Sequence, residues 1–174
     1  MKKTLILIIL YLVSYNSFSQ AEASNWYFGH GAGVSFNQIN GNISPVDDGQ
    51  LSTIEGCTTI SDSSGNLLFY TDGTSVWNKS HNIMTNGTGL FGDSSSTQSA
   101  IIVPKPNSPN IYYIFTADDR NRDDPHLGLK YSEVDMSLQG SLGDVNSVKN
   151  VKLVSSTCEK VTIVRHQNGR DFWI

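Results

Sequence analysis

Three stretches of this chain carry one pattern: an apolar strand, a polar turn and an aromatic strand. The first runs Gly56-Cys57-Thr58-Thr59-Ile60-Ser61, then Asp62-Ser63-Ser64-Gly65-Asn66, then Leu67-Leu68-Phe69-Tyr70-Thr71. The second opens with Gln98-Ser99-Ala100-Ile101-Ile102-Val103 and resumes, after a Pro/Asn/Ser loop, at Ile111-Tyr112-Tyr113-Ile114-Phe115-Thr116. The third opens with Glu159-Lys160-Val161-Thr162-Ile163-Val164, turns through His166-Gln167-Asn168-Gly169-Arg170 and reaches Asp171-Phe172-Trp173-Ile174. Ile60, Ile102 and Ile163 hold matching places. A repeat of roughly 40–60 residues built from hairpins alone is the signature of propeller blades. The expected fold is all-β: an incomplete β-propeller, about two and a half blades of antiparallel sheet, truncated at the C-terminus. Rings of this kind use about four blades or more, so residues 20–174 are expected to be the N-terminal fragment of the domain. The competing architecture is a complete sandwich of about eight to ten strands.

Residues 1–19 read as a leader. Lys2-Lys3 form a basic start, Leu5 to Val13 an apolar run broken by Tyr11, and Ser17 and Ser19 place small residues before Gln20. That is a secretory signal peptide. A spanning helix needs about 20 apolar residues, and this run is far shorter. The chain is therefore expected to be secreted or displayed at the cell surface, and not membrane-spanning once the leader is removed.

Charged residues make up 16% of the chain and the net charge is −4, with no cluster of Lys or Arg. Nucleic acid is excluded as an expected partner, since phosphate recognition needs a basic stripe. Two cysteines, Cys57 and Cys158, open the first and third repeats. In an oxidising compartment they permit a disulfide; as thiols they pack as small apolar groups.

Trp26 to Gly29 and Gly33 to Phe36 read as short strands, with another near Ile43–Val46. Ser75-Val76-Trp77 and Asn82-Ile83-Met84 extend the first repeat's sheet, and Thr85 to Ser96 has the composition of a crossing between blades. The second repeat offers strands at 97–103, 111–117, 127–135 and 147–154. In 127–135, Leu127, Leu129, Tyr131 and Glu133 share one face, and Gly128, Lys130, Ser132 and Val134 the other.

As a set, these residues resemble the N-terminal regions of large Bacteroidetes surface proteins. The carrying motifs, in order, begin with Asn25-Trp26-Tyr27-Phe28-Gly29, Glu55-Gly56-Cys57, Ile60-Ser61-Asp62, Phe69-Tyr70-Thr71-Asp72-Gly73 and Val76-Trp77-Asn78-Lys79. Ser95 to Pro104, Tyr131-Ser132, Val134-Asp135-Met136 and Leu142-Gly143-Asp144-Val145 continue the series. Such proteins carry PKD-type modules and end in a gliding-motility-associated sorting domain read by type IX secretion. The resemblance implies an exported, propeller-like module and brings no catalytic residues with it.

Candidate chemistry is sparse. The acidic loop Asp118-Asp119-Arg120-Asn121-Arg122-Asp123-Asp124 offers carboxylates for Ca²⁺ but lacks the spacing of a calcium loop and carries its own arginines. His30, His81, His126 and His166 stand singly, without ligand spacing. The residues opening the first strand of each repeat are more suggestive: Glu55, Thr97-Gln98 and Glu159-Lys160. In a propeller these line the central channel. Glu55, Gln98, Glu159 and Lys160 are then a polar collar, with Trp77 or Tyr112 nearby for sugar stacking. The expected function is non-catalytic binding or adhesion toward a surface glycan or protein. The alternative is a fragment of a sialidase- or lyase-like enzyme, for which Glu55 and Glu159 are the available carboxylate pair. A purely structural spacer in a surface filament is the third reading.

Overall fold

The computed structural model describes residues 21–37, 39–119 and 128–174. The expected leader over 1–19, His126 and most of the acidic loop, from Arg120 to Asp124, lie outside the described residues.

Three antiparallel strands come first: β1 (Asn25–Tyr27), β2 (Gly33–Phe36) and β3 (Ile43–Val46). A four-stranded meander follows, made of β4 (Thr58–Ser61), β5 (Leu67–Thr71), β6 (Ser75–Asn78) and β7 (Ile83–Thr88). The second meander is β8 (Ala100–Pro104), β9 (Ile111–Ala117) and β10 (Leu129–Asp135), with β11 (Asp144–Val145) and β12 (Val151–Val154) both paired to β10. A last hairpin joins β13 (Val164–Arg165) to β14 (Phe172–Trp173). The protein is all-β.

The two meanders form one nine-stranded sheet, an eight-strand path with β12 beside β10, and are linked by a parallel bridge between Thr85 and Asp144. Its ends, β4 and β8, lie against each other, so the sheet is barrel-like and nearly closed. Ile60 sits on β4 and Ile102 on β8, while Ile163 precedes β13 rather than lying in a strand. Thr85 to Thr88 belong to β7, which shortens the crossing expected there.

The core lies between the meanders. Ile60, Phe69, Val76 and Met84 from the first meet Ala100, Ile102, Ile114, Val134 and Val145 from the second. Burial of a side chain such as Phe69, which is 0% exposed, is worth about 1.5–3 kcal/mol. Period two sends Tyr70 to the opposite face, into a smaller core with Tyr27 and Leu51. Both faces of the first meander are thus covered, one by the second meander and one by the N-terminal sheet.

On β10 the alternation is as expected, but the inward face is the more polar one: Lys130, Ser132 and Val134 are buried. The Ser132 hydroxyl accepts the Asn150 N–H at 2.9 Å, and Lys130 places its ammonium 4.0 Å from the Phe91 ring centroid. The opposite face carries Tyr131, which meets Tyr113 edge to face at 5.5 Å and lies 6.0 Å from Phe115.

Candidate functional site

The strand-opening segments of the three repeats meet on one rim. Ile54 and Glu55 donate their backbone N–H groups to the Ser94 carbonyl, at 3.3 and 3.2 Å. Gly56 donates to the Ser96 carbonyl at 3.1 Å, and Gln98 donates to the Glu159 carbonyl at 2.9 Å. Gly56 and Gln98 each stand four residues before their repeat's isoleucine, so equivalent donors reach from one repeat to the next. A side chain at Gly56 would sit 2.8 Å from the Ser96 oxygen and 2.9 Å from the Gln98 Cα, so glycine is required for this approach.

The sequence-predicted collar residues are placed accordingly. Glu55 and Lys160 are exposed, Gln98 and Glu159 half-buried. The Thr97 hydroxyl donates to Glu159 Oε2 at 3.4 Å. Glu55 thus shares the rim with Gln98 and Glu159 through the 94–98 crossing. The proposed stacking rings do not belong to it. Tyr112 pairs with Pro104, six residues beyond Gln98 along the second repeat, or about 20 Å at strand rise. Trp77 lies in β6, stacked on Tyr70 with centroids 5.7 Å apart. Pairing register carries Tyr112 away from the rim, and Trp77 is committed to the Tyr70 stack.

Cys57 and Cys158 are free thiols, and the bridge between them is not formed. The Cys57 thiol donates to the Tyr27 carbonyl at 3.3 Å, which commits it to the β1 contact. Burial, and next the charge of Asp72, push that thiol's pKa up. Asp118 is buried and Asp119 accepts the Ser95 hydroxyl at 3.1 Å. Among the described residues, no three His, Cys, Asp or Glu side chains gather as a metal-holding group.

Sequence reasoning missed a polar-aromatic network where the N-terminal sheet meets the first meander. Tyr27 stacks on Tyr70, and its hydroxyl donates to Asp48 Oδ1 at 2.9 Å. Asp48 Oδ2 lies 3.3 Å from His81 Nε2, and His81 Nδ1 lies 3.1 Å from the Tyr70 hydroxyl oxygen, which also accepts the Gln50 N–H at 3.1 Å. A neutral His81 protonated at Nε2 satisfies every member: it donates to Asp48 and accepts from Tyr70. Burial, then the Asp48 hydrogen bond and charge, raise the Tyr27 pKa strongly; burial likewise raises that of Tyr70. Tyr70, at one end of this chain of groups, is 0% exposed. The group joins the N-terminal sheet to the first meander.

His81 enters this group from a left-handed turn, φ 60°, whose amides are held by Asn78. The Asn78 side chain accepts from the N–H groups of Ser80 and Asn82 at 2.9 and 3.3 Å. The dense Asn/Ser/His turn after Trp77 was the available sequence signal.

No family model, curated protein or solved structure matches the chain.

Proposed function

We propose that this chain is an exported, non-catalytic binding module. In this reading it is built from successive propeller blades of the kind carried by Bacteroidetes surface proteins, and its polar rim receives a surface glycan or protein. One observation carries the reading. Gly56 and Gln98, at equivalent steps of successive repeats, each donate a backbone hydrogen bond into the strand-opening segment of the following repeat. Such a relationship is what rotation of one blade into the next about a common axis produces. The apolar core that the two meanders share is compatible with it.

The consequence is a ring of polar side chains, Glu55, Gln98, Glu159 and Lys160, around that axis at the mouth. Carboxylate and amide groups gathered on one rim suit hydroxyl-rich or polar peptide ligands. The test is glycan- and protein-array binding by the full-length protein with and without Glu55→Ala combined with Gln98→Ala. Loss of the captured ligand in the double variant supports the reading. Binding that survives the substitutions removes the rim from it.

A further inference from the structure

At the far end of the strands from the rim, an open groove of about 620 Å³ lies between two turns. One wall is the 104–109 turn of the second repeat; the other comes from the last hairpin, with Arg165, Gly169, Arg170 and Phe172. The volume is in the range of ligand sites, about 300–1,000 Å³. In a chain of net charge −4, this lining contains three cations and no carboxylate.

The three cations are not equivalent. Lys105 is held by Glu133 at 2.8 Å, and Arg170 by its neighbour Asp171 at 3.0 Å. Arg165 has no carboxylate partner among the described residues; its guanidinium lies 5.9 Å from the Phe172 ring centroid. A planar guanidinium over an aromatic ring keeps its forked donors available for a carboxylate.

The turns themselves offer little to a peptide backbone. Lys105 N–H goes to the Ile111 carbonyl and Ser108 N–H to the Lys105 carbonyl. Across the groove, Asn168, Gly169 and Arg170 spend their N–H groups on His166 and Asn168. Recognition must then come from side chains and ring surfaces. Pro106 and Phe172 provide apolar surfaces of the kind a pyranose C–H face rests on, and the Asn107 amide stands at a left-handed turn position, φ 60°.

We infer that this groove binds an acidic oligosaccharide, with a sugar carboxylate seated on Arg165 and a ring face against Pro106 and Phe172. The site is separate from the polar rim and does not depend on what the rim receives.

The experiment is calorimetric titration of the full-length protein at low ionic strength with oligogalacturonate, with sialyl-lactose, with polyglutamate and with a neutral malto-oligosaccharide of matched length. Binding of either acidic sugar and not of the neutral one is expected, weakening as salt is added. Arg165→Glu should weaken it roughly 10-fold or more, and Arg165→Lys should fall between, since lysine keeps the charge and loses the fork. Arg165 is exposed, and an unchanged melting temperature would confirm that each variant folds. Glu55→Ala with Gln98→Ala should leave this binding unchanged. Four results would overturn the inference: no acidic sugar bound, equal binding of the neutral sugar, indifference to Arg165→Glu, or equal binding of polyglutamate.

Discussion

Tyr27 and Tyr70 stack with centroids 4.8 Å apart and planes inclined by 20°, joining β1 to the buried face of β5. Their hydroxyls diverge to the two sides of one hydrogen-bonded group, Tyr27 to Asp48 and Tyr70 to His81. Tyr70→Phe would keep the stack and leave the Gln50 N–H and His81 Nδ1 without their partner. A loss of about 1–3 kcal/mol is expected. Denaturant unfolding should show it as a lower midpoint at unchanged slope.

Gly73 and Gly89 both have positive φ, 87° and 71°, but differ in surroundings. An added Cβ at Gly73 would press on the Ser99 side chain, with Ser99 Cβ at 3.0 Å; at Gly89 nothing lies within 4 Å. Gly89→Ala should therefore cost about 1 kcal/mol from backbone strain alone. Gly73→Ala should cost clearly more, because the 92–99 crossing must shift as well. Melting temperatures of the two variants, compared side by side, check the order.

Thr116 Oγ1 is buried and has no hydrogen-bond partner among the described residues. Thr116→Val removes that unsatisfied oxygen at nearly constant shape. The variant is expected to be as stable as the parent or more so, by up to about 1–2 kcal/mol. A substantially lower melting temperature would show that the hydroxyl is satisfied in solution.

Two partly buried carboxylates, Asp62 and Glu133, are expected to contribute to the acid limb of stability. At Asp62 burial opposes the charged form, but hydrogen bonds from Asn66, Ser64 and Gly65 outweigh it and hold the pKa below the usual range. At Glu133 burial is again opposed, here by Lys105 and Asn146, and the pKa also falls. Lowered folded-state values mean that the unfolded chain binds more protons in acid. Their contribution is present above the ordinary carboxylate pKa, about 4, and is lost as pH falls through the lower folded values. Stability measured from pH 6 downward should decline more gently for Asp62→Asn combined with Glu133→Gln than for the parent.

Local features were legible in the sequence because local chemistry fixes them. The Asp62 turn closes on its own side chain, which accepts the N–H groups of Ser64 and Asn66 at 2.8 and 2.9 Å. The strands of the first two repeats follow from alternation and turn residues. Hydrophobicity alone did not reveal which face of β10 is inward, because Tyr131 and Leu129 belong to a second, aromatic surface. The Asp48–His81–Tyr70 group was hidden for another reason: its members come from two loops and a strand, and only the sheet-on-sheet contact assembles them. The two-residue strand β11 and its parallel bridge to Thr85 depend likewise on contacts distant in sequence.

The first meander is clad on both sides, whereas all four residues of β12 and both of β13 face solvent. Amide exchange and proteolytic nicking should consequently advance from the C-terminal hairpin inward, sparing β5 until last. A chain arranged this way yields at its margin while its middle layer stays whole.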